Sequence, residues 1–138
     1  MILVVDDHAD TRLAIVQLLK FDGYDAIAVS SGSEALAFLT HVRPKLLLID
    51  YSMPDMTGLD VLAQMKKDER LAILPVIMFS AHGEAARQEA LRAGVSSYIM
   101  KASLDWSKLS SEVARLAGPP ASPRKEPVAP DVRIKEVI

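Results

Sequence analysis

Three short runs of uninterrupted apolar residues constrain the fold of this chain more than any other feature. They cover Met1–Val5, Leu46–Ile49 and Val76–Phe79, and each is too short to form a helix. An uninterrupted apolar run of this length is typical of a strand that is buried on both faces, as in a parallel sheet. We therefore expect a parallel sheet that is covered by helices on both sides.

Helical patterns occupy the segments between these runs, and two weaker strand candidates, Asp25–Ser30 and Ser97–Met100, complete the set. Apolar residues at helical spacing predict five helices, of which the fourth covers Glu84–Ala93 and the fifth contains Trp106. The alternation predicts an α/β fold, a doubly wound five-stranded parallel sheet with strand order 2-1-3-4-5 and five helices.

Local signals place two of the helix ends. Gly23 is expected to end the first helix, because glycine adopts the backbone conformation that often follows a helix. Ser31 and Glu34 have the spacing of a capping box and predict the start of the second helix. The fourth helix is poor in bulky apolar residues, which predicts weak packing on the sheet.

Composition excludes several classes of protein. The 138 residues suit one domain, and 16 basic against 18 acidic residues give a net charge of −2, which disfavours a nucleic-acid binder. The absence of cysteine excludes disulfide frameworks, thiolate zinc sites and cysteine nucleophiles. The longest apolar run is too short for a membrane span and the first residues lack the pattern of a signal peptide, so a cytoplasmic location is expected.

The composition changes at Gly118. Five of the eight prolines lie after this residue, where no helical period is found. We expect one domain over residues 1–117 and a Pro-rich linker or C-terminal tail over 118–138. The sequence leaves open whether the chain stands alone or is a fragment of a longer protein.

Polar side chains follow four of the predicted strands. Asp6 and Asp7 end the first strand, Asp50 the third, Ser80 the fourth and Lys101 the fifth. These ends share one edge of a parallel sheet, beside the point where the helices change faces. Clustered carboxylates repel one another unless a cation is present, and Mg²⁺ suits oxygen ligands. The set predicts a magnesium site beside an aspartate that can accept a phosphoryl group. Taken singly, Asp6 and Asp7 could instead cap the first helix.

These residues lie in motifs that resemble one family. The motifs are Val4–Asp7, Leu48–Gly58, Phe79–Ala81 and Tyr98–Lys101, in this order and spacing. Over residues 1–117 the chain resembles the receiver domain of a two-component response regulator. The resemblance implies a flavodoxin-like receiver fold and a role in phosphorelay signal transduction.

The resemblance also implies roles for particular residues. Asp50 would accept the phosphoryl group from a phosphohistidine of a histidine kinase or phosphotransfer protein. Asp6, Asp7, Asp50 and the backbone carbonyl of Ser52 would hold Mg²⁺. Lys101 would contact the phosphoryl group, and the domain would catalyse only its own phosphorylation and dephosphorylation.

A second group of residues would form the switch. Ser80 would move toward the phosphoryl group, and Tyr98 would rotate inward in response. Ser52 and His82 occupy positions that influence the lifetime of the phosphoryl group in this family, although an indifferent His82 is the simpler reading. In the family a proline usually follows the lysine, with a cis bond between them. Here Ala102 follows Lys101, and we expect a trans bond, because only proline lowers the cost of the cis form.

The expected partner surface is the face formed by the fourth helix, the fifth strand and the fifth helix. It would bind a downstream protein or a fused effector and is available for self-association as a homodimer, without nucleic-acid or membrane binding. Two alternatives remain. One is a phosphate-independent interaction module, a degenerate receiver. The other is a Mg²⁺-dependent phosphohydrolase with an aspartate nucleophile, which Ser52 disfavours because such enzymes carry a second aspartate there.

Overall fold

The computed structural model describes residues 1–103 and 105–120. Strands and helices alternate along this part of the chain. In order they are β1 (Ile2–Val5), α1 (Ala9–Phe21), β2 (Ala26–Val29), α2 (Gly32–Leu39), β3 (Leu46–Asp50), α3 (Gly58–Met65), α4 (Glu69–Ala72), β4 (Val76–Ser80), α5 (Glu84–Arg92), β5 (Ser97–Met100) and α6 (Trp106–Ala117). A 3₁₀ turn, Lys101–Ser103, follows β5.

The five strands form one parallel sheet with the order β2-β1-β3-β4-β5, which confirms the predicted topology. The prediction of five helices missed α4, a single turn that begins where the Asp68 side chain accepts a hydrogen bond from the N–H of Arg70. Such a turn is too short to show a helical period. The helices predicted as fourth and fifth are therefore α5 and α6.

The central strands are buried on both faces, as their apolar runs predicted. Leu3 and Ile49 pack into the core on one side of the sheet, whereas Val4 and Leu48 pack into the core on the other side. All four side chains are inaccessible to water. Because neighbouring residues of a strand point to opposite faces, only an uninterrupted apolar run satisfies both cores.

The helix ends agree in part with the local signals. Gly23 follows α1 with a φ of +97°, as predicted. Ser31 caps α2 by accepting the N–H of Glu34, but the Glu34 carboxylate accepts the N–H of Ser30, so the predicted capping box is incomplete. The complete box lies at α3, where Thr57 and Asp60 exchange hydrogen bonds.

The last described residues lie at the edge of the sheet where the strands begin. The hydroxyl of Tyr24, which precedes β2, donates to the carbonyl oxygen of Gly118 at 2.8 Å. Residues 121–138, which carry most of the predicted linker, lie outside the described residues, and the domain boundary stays a prediction. No helix in the described ranges is long and apolar enough to cross a membrane.

Candidate functional site

The carboxyl ends of the strands bring together residues that are far apart in sequence. Asp50 is the last residue of β3, and Asp6 directly follows β1, which pairs with β3. Asp6, Asp50 and Ser80 are all buried. Burial of a charge costs several kcal/mol unless it is compensated. A cluster of buried carboxylates at this edge therefore indicates a functional site rather than a stabilising feature.

Lys101 supplies the positive charge of this cluster. Its Nζ lies 3.2 Å from Oδ2 of Asp50 and 3.6 Å from Oδ2 of Asp6. Only 12% of the side chain is exposed, and the ammonium lies 5.6 Å from the centre of the Phe79 ring. One largely buried cation thus faces two buried carboxylates and neutralises only one of their two charges, so a further negative charge at the site would need a further cation.

The acidic residues form a set that fits a metal ion. Asp6, Asp7, His8 and Asp50 each offer a ligand atom, and these atoms lie within 4.8 Å of one another. Oδ2 of Asp6 and Oδ1 of Asp7 are buried and have no hydrogen-bond partner within the described part of the chain. Orphaned carboxylate oxygens are the ligands that a hard divalent cation such as Mg²⁺ prefers.

The surroundings of Asp50 shift its acidity. Burial raises the pKa of Asp50 above its usual value, and the neighbouring charge of Asp6 raises it further. Lys101 opposes both effects, and the N–H of Ser52 donates weakly to Oδ1 at 3.4 Å. A raised pKa means that the ionised form of the carboxyl group is less stable in the folded protein than in the unfolded chain.

We expect Asp50→Asn to raise the free energy of unfolding at pH 7, in EDTA, because burial and the charge of Asp6 disfavour the ionised Asp50 more than Lys101 favours it, and Lys101 keeps Asp6 as its partner in the variant. The folded state binds the Asp50 proton more tightly than the unfolded state does. The gain is therefore present above the folded pKa and disappears as the pH falls through it. Urea unfolding across pH 4–8 measures the effect, with the exposed Asp25→Asn as control. A variant that is less stable than wild type at pH 7 would contradict the prediction.

A chain of contacts leads from the strand ends to β5. The N–H of His82 donates to Oγ of Ser80 at 2.8 Å, and the hydroxyl of Tyr98 donates to the carbonyl oxygen of His82 at 3.0 Å. On the other side, Nε2 of His82 lies 3.0 Å from Oγ of Ser52, and its ring lies 5.1 Å from the ring of Tyr51. His82 is therefore in contact with residues around the site, and its influence on the lifetime of the phosphoryl group stays a prediction.

The expectation for Tyr98 needs refinement. Tyr98 lies inside, with 9% of the residue exposed, and its inward rotation on phosphorylation stays a prediction. The expectation for the loop after β5 is confirmed, because every peptide bond in the described ranges is trans, including the one between Lys101 and Ala102.

Two supporting residues near the site escaped the sequence analysis. Asp55, in the loop after β3, accepts the N–H groups of Gly32 and Ser33 at 3.2 and 2.9 Å and so fastens this loop to the start of α2. Arg12 donates from a guanidinium nitrogen to the carbonyl oxygen of Asp6 at 2.8 Å. Both contacts join separate segments, and no local pattern in the sequence indicates them.

Comparison with known proteins identifies the family. The family model described as "Response regulator receiver domain" matches residues 2–114. The chain belongs to this family. Receiver domains of response regulators act in two-component systems, where they interact with kinases and effectors.

Three known proteins illustrate the similarity. The chemotaxis protein CheY of Pseudomonas aeruginosa is 41% identical over 104 residues, which are 72% of this chain and 82% of CheY. The phosphate regulon transcriptional regulatory protein PhoB of the same organism is 33% identical over 101 residues, and the match spans only 44% of PhoB. The structure of the response regulator TrrA of Thermotoga maritima, in complex with Mg²⁺-BeF, matches with a TM-score of 0.74 and 27% identity over 83% of this chain and 96% of TrrA.

Proposed function

We propose that this receiver domain accepts a phosphoryl group on Asp50 in a Mg²⁺-dependent reaction and thereby switches a partner-binding surface. The donor is a phosphohistidine of a histidine kinase or a phosphotransfer protein. An oxygen of the Asp50 carboxylate attacks phosphorus, and the bond from phosphorus to the imidazole nitrogen breaks. The electron pair of that bond stays on the imidazole nitrogen.

The observation that carries this proposal is the shared lysine. Lys101 Nζ lies within 4 Å of a carboxylate oxygen of both Asp50 and Asp6, in a pocket from which water is largely excluded. An ammonium in this place can pair with the charge of a phosphoryl group as it arrives on Asp50. Preorganised charge of this kind supplies much of the catalysis of phosphoryl transfer. The hydroxyl of Ser80, buried beside it, is available as a neutral donor.

Asp6, Asp7, Asp50 and the backbone carbonyl of Ser52 would hold the magnesium ion. The buried, unpartnered oxygens of Asp6 and Asp7 support this assignment, as does the Mg²⁺-BeF complex of TrrA. When bound, Mg²⁺ supplies positive charge that neutralises the oxygens of the phosphoryl group. Ser52 also supports a switch over a phosphohydrolase, since its hydroxyl offers no carboxylate to act as a second acid and base.

Phosphorylation of the full chain by acetyl phosphate, read by intact mass, tests this function. We expect one phosphoryl group on the wild type in Mg²⁺ and none in EDTA. Asp50→Asn should remain unmodified, whereas the exposed control Asp25→Asn should behave as wild type. Equal modification of Asp50→Asn and wild type would refute Asp50 as the acceptor, and full modification in EDTA would refute the need for metal.

The partner surface that we propose is the face of α5, β5 and α6. Of the residues of α5, only Ala90 is buried, which supports the expectation that this helix packs weakly on the sheet. Weakly packed elements move at low cost and are suited to switching. We expect beryllofluoride with Mg²⁺ to shift amide resonances across residues 83–110, because Tyr98 and His82 join this face to Ser80. Shifts confined to the neighbours of Asp50 would contradict the proposed surface.

A further inference from the structure

His8 turns a ring nitrogen toward the acidic pair that precedes it. Its Nδ1 lies 3.2 Å from Oδ1 of Asp6 and 3.4 Å from Oδ1 of Asp7, while 66% of the side chain is exposed. Donor atoms placed tetrahedrally around Zn²⁺, at about 2.1 Å each, lie roughly 3.4 Å apart. A shared zinc ion would therefore fit between the imidazole nitrogen and both carboxylate oxygens, although the 3.2 Å contact with Asp6 is also that of an ordinary hydrogen bond.

The buried carboxylate of Asp6 gives a second, independent indication of a ligand. Asp6 is inaccessible to water, yet its Oδ2 has no hydrogen-bond partner in the described ranges, and the nearest cation, Nζ of Lys101, is 3.6 Å away. A buried polar atom without a partner costs free energy unless something binds it. Oδ1 of Asp6 already accepts the backbone N–H of His8 at 2.8 Å, so this carboxylate does not need the ring of His8 as a donor.

We propose that His8 is a nitrogen ligand at this site, and that it gives the site an affinity for Zn²⁺ besides the Mg²⁺ of the proposed function. Imidazole is a ligand for borderline ions such as Zn²⁺, whereas Mg²⁺ prefers oxygen and keeps much of its water. The inference rests on the proposed metal site, since Asp6 and Asp7 serve both ions. Zn²⁺ and Mg²⁺ would therefore compete for one position.

Calorimetric titration of the tag-free full chain with Zn²⁺ and with Mg²⁺, at one fixed pH, tests the assignment. We expect His8→Ala to weaken Zn²⁺ binding tenfold or more and to change Mg²⁺ binding less than about threefold. His41→Ala is the matched control, because His41 is exposed and follows α2, at the opposite end of the sheet. It should leave both dissociation constants unchanged. Equal Zn²⁺ affinity of His8→Ala and wild type would overturn the proposal.

A spectroscopic measurement separates ligation from a structural role. In protein labelled with ¹⁵N at histidine, we expect Zn²⁺ to shift the Nδ1 resonance of His8 and Mg²⁺ to leave it in place. A Zn²⁺ response at His82 instead, with loss of affinity in His82→Gln, would also overturn the assignment. If either zinc test fails while Asp50 is still modified in a Mg²⁺-dependent way, only the role of His8 is refuted. If Asp50 is not modified, the proposed function itself is refuted.

Discussion

Lys101→Met is expected to slow phosphorylation of Asp50 by acetyl phosphate by about 10²–10³-fold, the loss that follows removal of one preorganised charge or donor in an active site. The methionine keeps an unbranched, largely apolar side chain and lacks the ammonium that lies near the Phe79 ring. Lys101 also opposes the burial and the charge of Asp6 that raise the pKa of Asp50. Its loss therefore raises that pKa further and lowers the fraction of Asp50 that is ionised and able to attack.

Stability and metal binding must be measured on the same variant, because loss of one partner of a buried ion pair costs about 3–5 kcal/mol. A Mg²⁺ affinity equal to or greater than that of wild type would show that the site is folded, since the ion then compensates Asp6 and Asp50 without competition. Lys45→Ala, an exposed lysine at the start of β3, is the control and should react at the wild-type rate. A Lys101→Met rate within tenfold of wild type would refute the role of the ammonium.

Gly58→Ala is expected to lower the free energy of unfolding by about 1–3 kcal/mol, the usual cost of overpacking. Gly58 begins α3, and a Cβ there would lie 2.6 Å from the carbonyl oxygen of Asp50 and 2.8 Å from Cε of Met78. Helix propensity alone predicts the opposite sign, since alanine is favoured over glycine by about 1 kcal/mol. The backbone contact decides the outcome, because a strand in the centre of the sheet cannot shift cheaply.

Gly83→Ala is the matched control for Gly58→Ala in urea unfolding. Gly83 precedes α5, and nothing lies within 4 Å of the place that its Cβ would occupy. We expect its stability to change by less than about 1 kcal/mol. Equal stability of Gly58→Ala and Gly83→Ala would contradict the prediction, because the contact between the added Cβ at position 58 and the backbone of Asp50 would then cost nothing.

The parts of this molecule that follow from local patterns could be predicted from the sequence. Apolar runs predicted the central strands, and the rule that parallel strands end at one edge predicted that Asp6, Asp50 and Lys101 lie together, as they do. The single turn of α4 has no period to detect. The carboxylate of Glu34 accepts the N–H of Ser30 instead of the N–H of Ser31 that a capping box requires. Residue spacing does not distinguish between these two neighbouring donors.

Contacts between distant segments are what the sequence did not predict. Asp55 reaches the start of α2, which lies 22 or 23 residues earlier in the chain. From the sequence, His8 could be an ordinary polar residue at the start of a helix. Only the direction of its ring shows that it faces the acidic pair. The buried position of Tyr98 rests on its packing in the core and on its hydrogen bond to His82, and neither contact has a signature in residue type.

The hydrogen bond between Tyr24 and Gly118 fixes the position of the residue that follows α6. It ties the end of α6 to the edge of the sheet where strands begin, while Asp50 lies at the other edge, roughly 15 Å away along a strand. Gly118 therefore lies at the end of the sheet opposite Asp50, the proposed phosphoacceptor. On the proposed function, a signal from a phosphorylated Asp50 would have to cross the whole domain to reach Gly118, as a change in the balance between two packings of the helices. Its strength is then limited by the free-energy difference that one phosphoryl group can impose on that balance.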